Sequence, residues 1–259
     1  MNIVACVKIT PDAGDITVRP DGSISLDRAE WVIGNFDLQA MEAGVRLAES
    51  ANPPGKVTVL SAGPKQIAQS KLKKDVLSRG PDELVMVVDE ALAGADTAAT
   101  ARVLAEAVRK IGDVDLVLCG EGSADLYFQQ VGIQVGELLG LPVFNAVSKI
   151  EPQGSTVIIE RDLEDEVEVL EVPLPAVLMV TTDIAEPRLP TMKEILKAGK
   201  KPVSEWTLAD VGVTDTQSQV DVLSTRAPFQ VQRKGVVIPG EPSEAAQALV
   251  GYLKKEGIV

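Results

Sequence analysis

The chain has 259 residues, enough for one large α/β unit with a substantial core, or for such a unit with an extension. Hydrophobic residues at 45% and charged residues at 24% are ordinary globular proportions, but aromatics at 3% leave the core to Val, Leu, Ile and Ala and disfavour a base-stacking platform for single-stranded nucleic acid. A net charge of −13 repels nucleic acid and anionic membranes, and the absence of histidine removes the Ser-His-Asp triad and most zinc sites, which moves weight from hydrolysis toward binding or electron carriage by a cofactor.

Residues 2–8 (NIVACVK) form a continuous apolar run bounded by Thr10-Pro11-Asp12 and predict a buried first strand. Segments 16–19 and 24–26 flank Pro20-Asp21-Gly22 and predict a hairpin. Asn35, Phe36 and Asp37 open a helix with Ala40, Ala43, Val45 and Leu47 as apolar positions, ending near Ser50. Asn35 or Asp37 is expected to cap it, or its start faces a pocket; Asp37 suits the helix dipole. Strands follow at 56–61, 83–88 and 113–119, alternating with helices at 65–78 and 97–110, the second capped by Asp96 and Thr97. Their spacing of roughly 30 residues predicts βαβ crossovers and a mainly parallel sheet with helices on both faces, a Rossmann-like α/β fold.

In such sheets ligands bind beyond the carboxyl ends of the strands. The stretch Cys119-Gly120-Glu121-Gly122-Ser123-Ala124-Asp125, with a helical pattern expected over 126–139, reads as strand, glycine turn and helix, a layout suited to an anionic group. The Ser123 hydroxyl and the amides of residues 121–124 are candidates to hold a mononucleotide phosphate, with the Glu121 side chain turned away. Asp125 either caps the helix or accepts from a ribose hydroxyl. The third glycine of GxGxxG is missing and no GxxxxGK(S/T) occurs, which disfavours dinucleotide binding of the Rossmann kind and P-loop hydrolysis. Cys6 and Cys119 sit at ends of buried strands and read as free thiols in a reducing cytosol. The acidic run 162–168 lacks metal-ligand spacing and reads as a solvated turn between strands 157–161 and 167–172, an antiparallel hairpin. A further buried strand covers 176–182. A helix at 192–198 lies between Glu186-Pro187-Arg188-Leu189-Pro190 and Gly199-Lys200-Lys201-Pro202, either a solvated surface helix or a protruding loop tipped by Met192, Ile195 and Leu196. Residues 203–240 lack periodicity and are expected to form an arm on another subunit, closing with a helix from 243 to about 255. No transmembrane window and no signal peptide are apparent, so a cytoplasmic protein without membrane insertion is expected.

Taken together, VACVKITPD (4–12), NFDLQAMEAGVRLAE (35–49), DLVLCGEGSADLYFQQVGIQVGELLGLP (115–142), ERDLEDEVEVLEVPLPAVLMVTTDIAEPR (160–188) and PTMKEILKAGKKP (190–202) resemble the beta subunit of electron-transfer flavoproteins. KDVLSRGPDEL (74–84) and CGEGSADLYFQQVG (119–132) look closest to the Fix-type branch, associated with specialised electron supply. The resemblance implies an adenine-nucleotide-binding α/β domain over residues 1–202, with a recognition loop at about 186–202, and a C-terminal arm and helix over 203–259 that contact an alpha subunit. It implies FAD held mostly by alpha and closed on one side by this chain, with AMP or a second FAD in its own pocket. Carried over by position, the nucleotide contacts are Cys6, Gly34, Asn35, Phe36, Asp37, Ala62, Gly120, Glu121, Gly122, Ser123, Ala124, Asp125, Leu126, Tyr127, Phe128, Gln129, Gln130 and Val131. Partner recognition falls on Met192, Ile195 and Leu196, with methionine where the family usually has leucine. Gln130-Val131-Gly132 resembles electron-bifurcating members and favours FAD, whereas bulky Leu126, Tyr127 and Phe128 depart from them and keep AMP open. The expected role is an electron carrier between dehydrogenases, or NADH, and a quinone reductase or other acceptor, with no catalytic side chain and no metal of its own; the competing reading is a non-redox adenine-nucleotide sensor.

Overall fold

The computed structural model describes residues 1–229 and 233–259. In chain order the elements are β1 (Asn2–Cys6), β2 (Ile9–Pro11), β3 (Thr17–Val18), β4 (Ile24–Ser25), β5 (Trp31–Ile33), α1 (Asn35–Ser50), β6 (Lys56–Gly63), α2 (Ser70–Ser78), β7 (Glu83–Val88), α3 (Thr97–Ile111), β8 (Leu116–Gly120), α4 (Val131–Leu139), β9 (Val143–Gln153), β10 (Thr156–Asp162), β11 (Val167–Pro173), β12 (Ala176–Val180), α5 (Met192–Ala198), β13 (Val203–Trp206) and α6 (Pro242–Lys255). Nine strands make one sheet in the order β11-β10-β9-β12-β8-β1-β6-β7-β13. From β9 to β13 along that order every pair is parallel, and β10 runs antiparallel to both its neighbours. This is the α/β architecture that the strand–helix alternation predicts.

Both faces are covered. Val4 and Cys6 of β1 pack with Leu104 and Val108 of α3 and Val135 of α4, while Ile3 packs with Ala40, Ala43 and Leu47 of α1. Ala5 and Val7 join Leu72 and Val76 of α2. A strand buried on both faces has no polar alternation, which is why residues 2–8 read as one apolar run. Gly44 lets α1 lie close to the sheet, since a methyl there would stand 3.3 Å from Ile3 and 3.4 Å from Leu118. The β3–β4 hairpin and the β10–β11 hairpin form where their turn residues place them.

Several features differ from expectation. The helix expected from 126 begins at Val131, because Tyr127 (φ 51°) and Gln129 (φ 55°) are left-handed and break any helical run before it. The helix expected from 65 is a 3₁₀ turn, Lys65–Ala68, followed by α2. Neither Asn35 nor Asp37 caps α1; the N-cap is Gly34, and Asp37 is buried within the first turn. The α/β unit also passes the expected boundary at 202. β13 pairs with β7 at the sheet edge, and Leu208 and Val211 are buried in the core. β13 is short and three of its four residues are exposed, so it carries no hydrophobic signal. β9 had no counterpart in the sequence reading: Ala146 (φ 56°) interrupts it, Pro152 lies within it, and only Val147 is fully buried.

After Val211 the chain leaves the core. Ser218 Oγ accepts from the Asp96 amide (3.2 Å), Arg102 donates to the Gln217 carbonyl (3.0 Å), and the Ala227 amide donates to Gly22 (2.9 Å). Part of the expected arm, residues 230–232, lies outside the described residues. α6 buries none of its side chains within the chain. Among the described residues no helix is long and apolar enough to cross a membrane.

Candidate nucleotide site

Parallel pairing fixes the carboxyl ends of β6, β1 and β8 side by side, and α1 starts against the same edge. The Gly34 amide donates to the Lys8 carbonyl (3.0 Å), tying the helix start to the end of β1. Thus Cys6, Ala62, Gly120 and the segment from Gly34 to Asp37, far apart in sequence, meet at one edge. Gly120 is required by that meeting. A methyl there would lie 2.7 Å from Phe36 Cβ, 2.8 Å from the Phe36 carbonyl carbon and 3.0 Å from an Asp37 carboxyl oxygen. The glycine expected to admit a phosphate therefore first admits the α1 backbone.

Asp37 is the electrostatic centre of the junction. Its carboxylate accepts the Lys8 amide (3.0 Å) and lies against Gly120, so one side chain sits between the ends of β1 and β8. Burial pushes its pKa up to about 7, against the Lys8 amide, the Lys8 charge and the nearby Gly120 backbone. At the rim, Lys8 Nζ donates to both carboxyl oxygens of Asp125, each at 2.7 Å. Burial alone would raise Asp125, but hydrogen bonds from Lys8 and Ser123 and the Lys8 charge outweigh it and hold the carboxyl below its ordinary range. Asp125 therefore neither caps α4 nor stands free; it also accepts the Leu126 amide (2.9 Å).

The loop from Glu121 to Gln130 folds over this edge. The Glu121 amide donates to Val180 (3.0 Å), which removes it from the amides expected to hold an anion. Its carboxylate takes the Tyr127 hydroxyl (2.8 Å), and that bond is the main cause raising the Tyr127 pKa. The Tyr127 ring packs on Phe36 at 5.1 Å between centroids and lies over Gly122, where a methyl would come within 2.3 Å of it. Leu126 and Phe128 are 58% and 57% exposed, so the two flanking apolar side chains are not packed within the chain. At the far end of the loop the Thr97 hydroxyl donates to Gln130 (2.9 Å) and accepts from Gln134 Nε2 (3.4 Å), joining the starts of α3 and α4. The Gln134 carbonyl oxygen is buried without a hydrogen-bond partner among the described residues.

Cys6 and Cys119 are free and buried on the same face of β1 and β8. Hydrogen bonding with Cys6, then burial, pushes the Cys119 thiol well above its ordinary range, so it is not a poised nucleophile. Lys8, Thr97 and Gln134 were not among the site residues picked from sequence. Lys8 closes the first apolar run and Thr97 opens the helix after β7, so position at the carboxyl edge of the sheet is the available signal. Two surface hollows, of about 280 Å³ beside Arg102, Arg109, Leu138 and residues 212–215 and of about 320 Å³ beside Thr17, Arg19, Ser25, Asp27 and Arg28, include none of these edge residues.

Met192, Ile195 and Leu196 lie on a separate surface. α5 carries them and packs on α2, burying only Ala198. Met192 and Leu196 are 72% and 73% exposed. The edge just described supplies backbone registration, one buried acid and a rim ion pair, but no general base matched to a nucleophile. Residues 22–211, from the first hairpin to the last core residue of the α/β unit, match the family model of the electron transfer flavoprotein domain, and the chain belongs to that family.

Proposed function

We propose that the chain is the beta subunit of an electron-transfer flavoprotein of the Fix-type branch, working in the cytoplasm as a heterodimer with an alpha subunit. The observation that carries this is the meeting of Cys6, residues 34–37, Ala62 and the 120–131 loop at one sheet edge, all but Cys6 within the family match. FAD is held mostly by alpha and covered on one side by this chain. Electrons pass from a dehydrogenase or NADH to a quinone reductase or other acceptor, and the flavin supplies that chemistry when bound. The chain's residues position and shield: Asp37 fixes the floor, Lys8 and Asp125 hold the loop, and exposed Leu126 and Phe128 offer apolar contact to a ligand or to alpha. α5 presents Met192, Ile195 and Leu196 to redox partners, and the arm with α6 lies on alpha.

The buried Gln134 carbonyl, unpartnered at the start of α4, fits a polar ligand group at this edge. Gln130-Val131-Gly132 supports a second FAD there, and with it electron bifurcation. A specific observation favours AMP instead: the Tyr127 ring occupies the space over Gly122 and packs on Phe36, where bifurcating relatives have small residues. Extraction and chromatography of nucleotides from the purified heterodimer tests both. Two FAD per heterodimer is the expected result, and one FAD with one AMP assigns the second reading. A heterodimer without flavin even after reconstitution refutes the electron-carrier assignment and leaves the nucleotide sensor.

A further inference from the structure

The helix α5 has seven residues and buries one side chain, Ala198. A helix this short is not stable on its own, and its packing on α2 buries only Ala198 fully. A capping box fixes its first turn: Thr191 Oγ1 accepts the Glu194 amide (3.4 Å) while the Glu194 carboxylate accepts the Thr191 amide (2.6 Å). What locates it on the protein lies at the two feet of the segment. At the exit, Lys201 Nζ donates to the carbonyls of Leu77 (3.0 Å) and Pro81 (2.6 Å). At the entrance, Arg188 donates from its amide and guanidinium to Glu42 (3.2, 2.8 and 3.2 Å) and from both terminal nitrogens to Glu49 (2.8 and 3.0 Å). The Glu42 side chain is only 4% exposed. It also accepts Arg46 Nε (2.6 Å), and Arg46 in turn donates to the Glu186 carbonyl (2.7 Å). Arg79, the C-cap of α2, donates to the Arg188 carbonyl (3.3 Å). The entrance foot is thus pinned from both α1 and α2.

We propose that Arg188 is a positioning residue: by bridging Glu42 and Glu49 it holds residues 189–200 as a pre-shaped docking surface, so that Leu189, Met192 and Leu196 stay exposed without the segment unravelling. This rests on the reading of α5 as the face offered to redox partners. An exposed apolar tip on a flexible segment would pay an ordering cost at every encounter, and a clamped one does not.

Hydrogen exchange read by mass spectrometry on the full chain tests the clamp. In Arg188→Gln, amides of residues 192–198 are expected to exchange about tenfold faster or more, as loss of charged hydrogen bonds implies, while those of β8 and β12 keep their rates and nucleotide content is unchanged. Arg188→Lys restores part of the protection, because an ammonium cannot engage two carboxylates in the planar, two-pronged manner of a guanidinium. Unchanged exchange at 192–198 overturns the proposal, and so does uniform acceleration across the sheet, which would make Arg188 a support of the whole fold. Met192→Ala separates this from the reading beneath it. It is expected to leave the exchange pattern intact and to slow electron transfer with a dehydrogenase that reduces the wild-type heterodimer. If transfer is unaltered, the docking reading fails whatever the clamp does.

Discussion

Asp37→Asn is the most searching perturbation of the proposed nucleotide edge. The Asp37 carboxyl is fully buried and its pKa is raised from 3.8 to about 7. The folded chain therefore holds this proton more tightly than the unfolded chain. The stabilisation linked to the proton is complete below about pH 3.8 and is lost as pH rises through about 7. At 1.36 kcal/mol per pH unit, that gap amounts to roughly 4 kcal/mol. Glu42, Glu49, Glu83, Asp96 and Asp125 are held below their ordinary range and impose the opposite slope, losing stability as pH falls. The wild-type curve alone is a sum of both, so the informative quantity is its difference from the variant. Asparagine has nearly the same shape and no charge, but with its carbonyl oxygen on the Lys8 amide its NH2 group must face Gly120, at a pH-independent cost of about 1–3 kcal/mol. Urea unfolding of both proteins between about pH 4 and pH 8 is expected to show wild type losing roughly 4 kcal/mol relative to Asp37→Asn over that window. Curves that stay parallel to within about 0.5 kcal/mol would show that Asp37 is not the buried, strained acid described here.

Gly120→Ala is expected to cost about 1–3 kcal/mol in urea unfolding and to release bound nucleotide during purification, because two of the three close contacts are with the Phe36 main chain and its Cβ, which no rotamer change relieves. Gly122→Ala serves as its control: the obstacle there is the half-exposed Tyr127 ring, which can swing aside, so the loss should stay below about 1 kcal/mol. Equal losses at the two positions would count against the tight α1–β8 junction. Met192→Ala, at a site 72% exposed, should leave stability within about 0.5 kcal/mol of wild type while slowing transfer with the partner dehydrogenase at unchanged flavin content.

The parts of the fold legible in the sequence were those whose burial is strong and local. β1, β7, β8 and β12 are apolar runs because both their faces are covered, β6 is buried throughout its middle despite Thr58 and Ser61, and α1 and α3 carry regular apolar stripes. The illegible parts are held by tertiary pairing. β13 exists because β7 offers it an edge, and β9 because β10 and β12 flank it; neither buries enough of its own residues to show a pattern. At the site, the glycines and Asp37 could be picked out, but their partners could not. Asp37 reads as a helix cap by position, yet its carboxylate accepts the Lys8 amide just beyond β1 and lies against Gly120 of β8. The loop after Gly120 read as helical from its composition, and only the left-handed Tyr127 and Gln129 reveal that the aromatic ring folds back over Gly122.

Three of these acids, buried Asp37 and Glu42 and exposed Glu49, share one support. Asp37 lies in the first turn of α1, and Glu42 and Glu49 follow on the same helix. At 1.5 Å per residue, Asp37 and Glu42 are about 7.5 Å apart along its axis, and Asp37 and Glu49 about 18 Å. One rigid element of 16 residues thus carries both the anchor of the nucleotide edge and the anchor of the α5 segment. Its packing on β1 and β8 is close, with Gly44 against Ile3 and Leu118, and leaves little room for the helix to slide. A substitution that tilts α1 is therefore felt at both surfaces, whereas Gly120→Ala and Arg188→Gln act at opposite ends of it. If Gly120→Ala raised amide exchange at 192–198 as much as Arg188→Gln does, the helix would be moving as a body. If each change stayed at its own end, α1 would be acting as a fixed post, which the close packing of Gly44 favours.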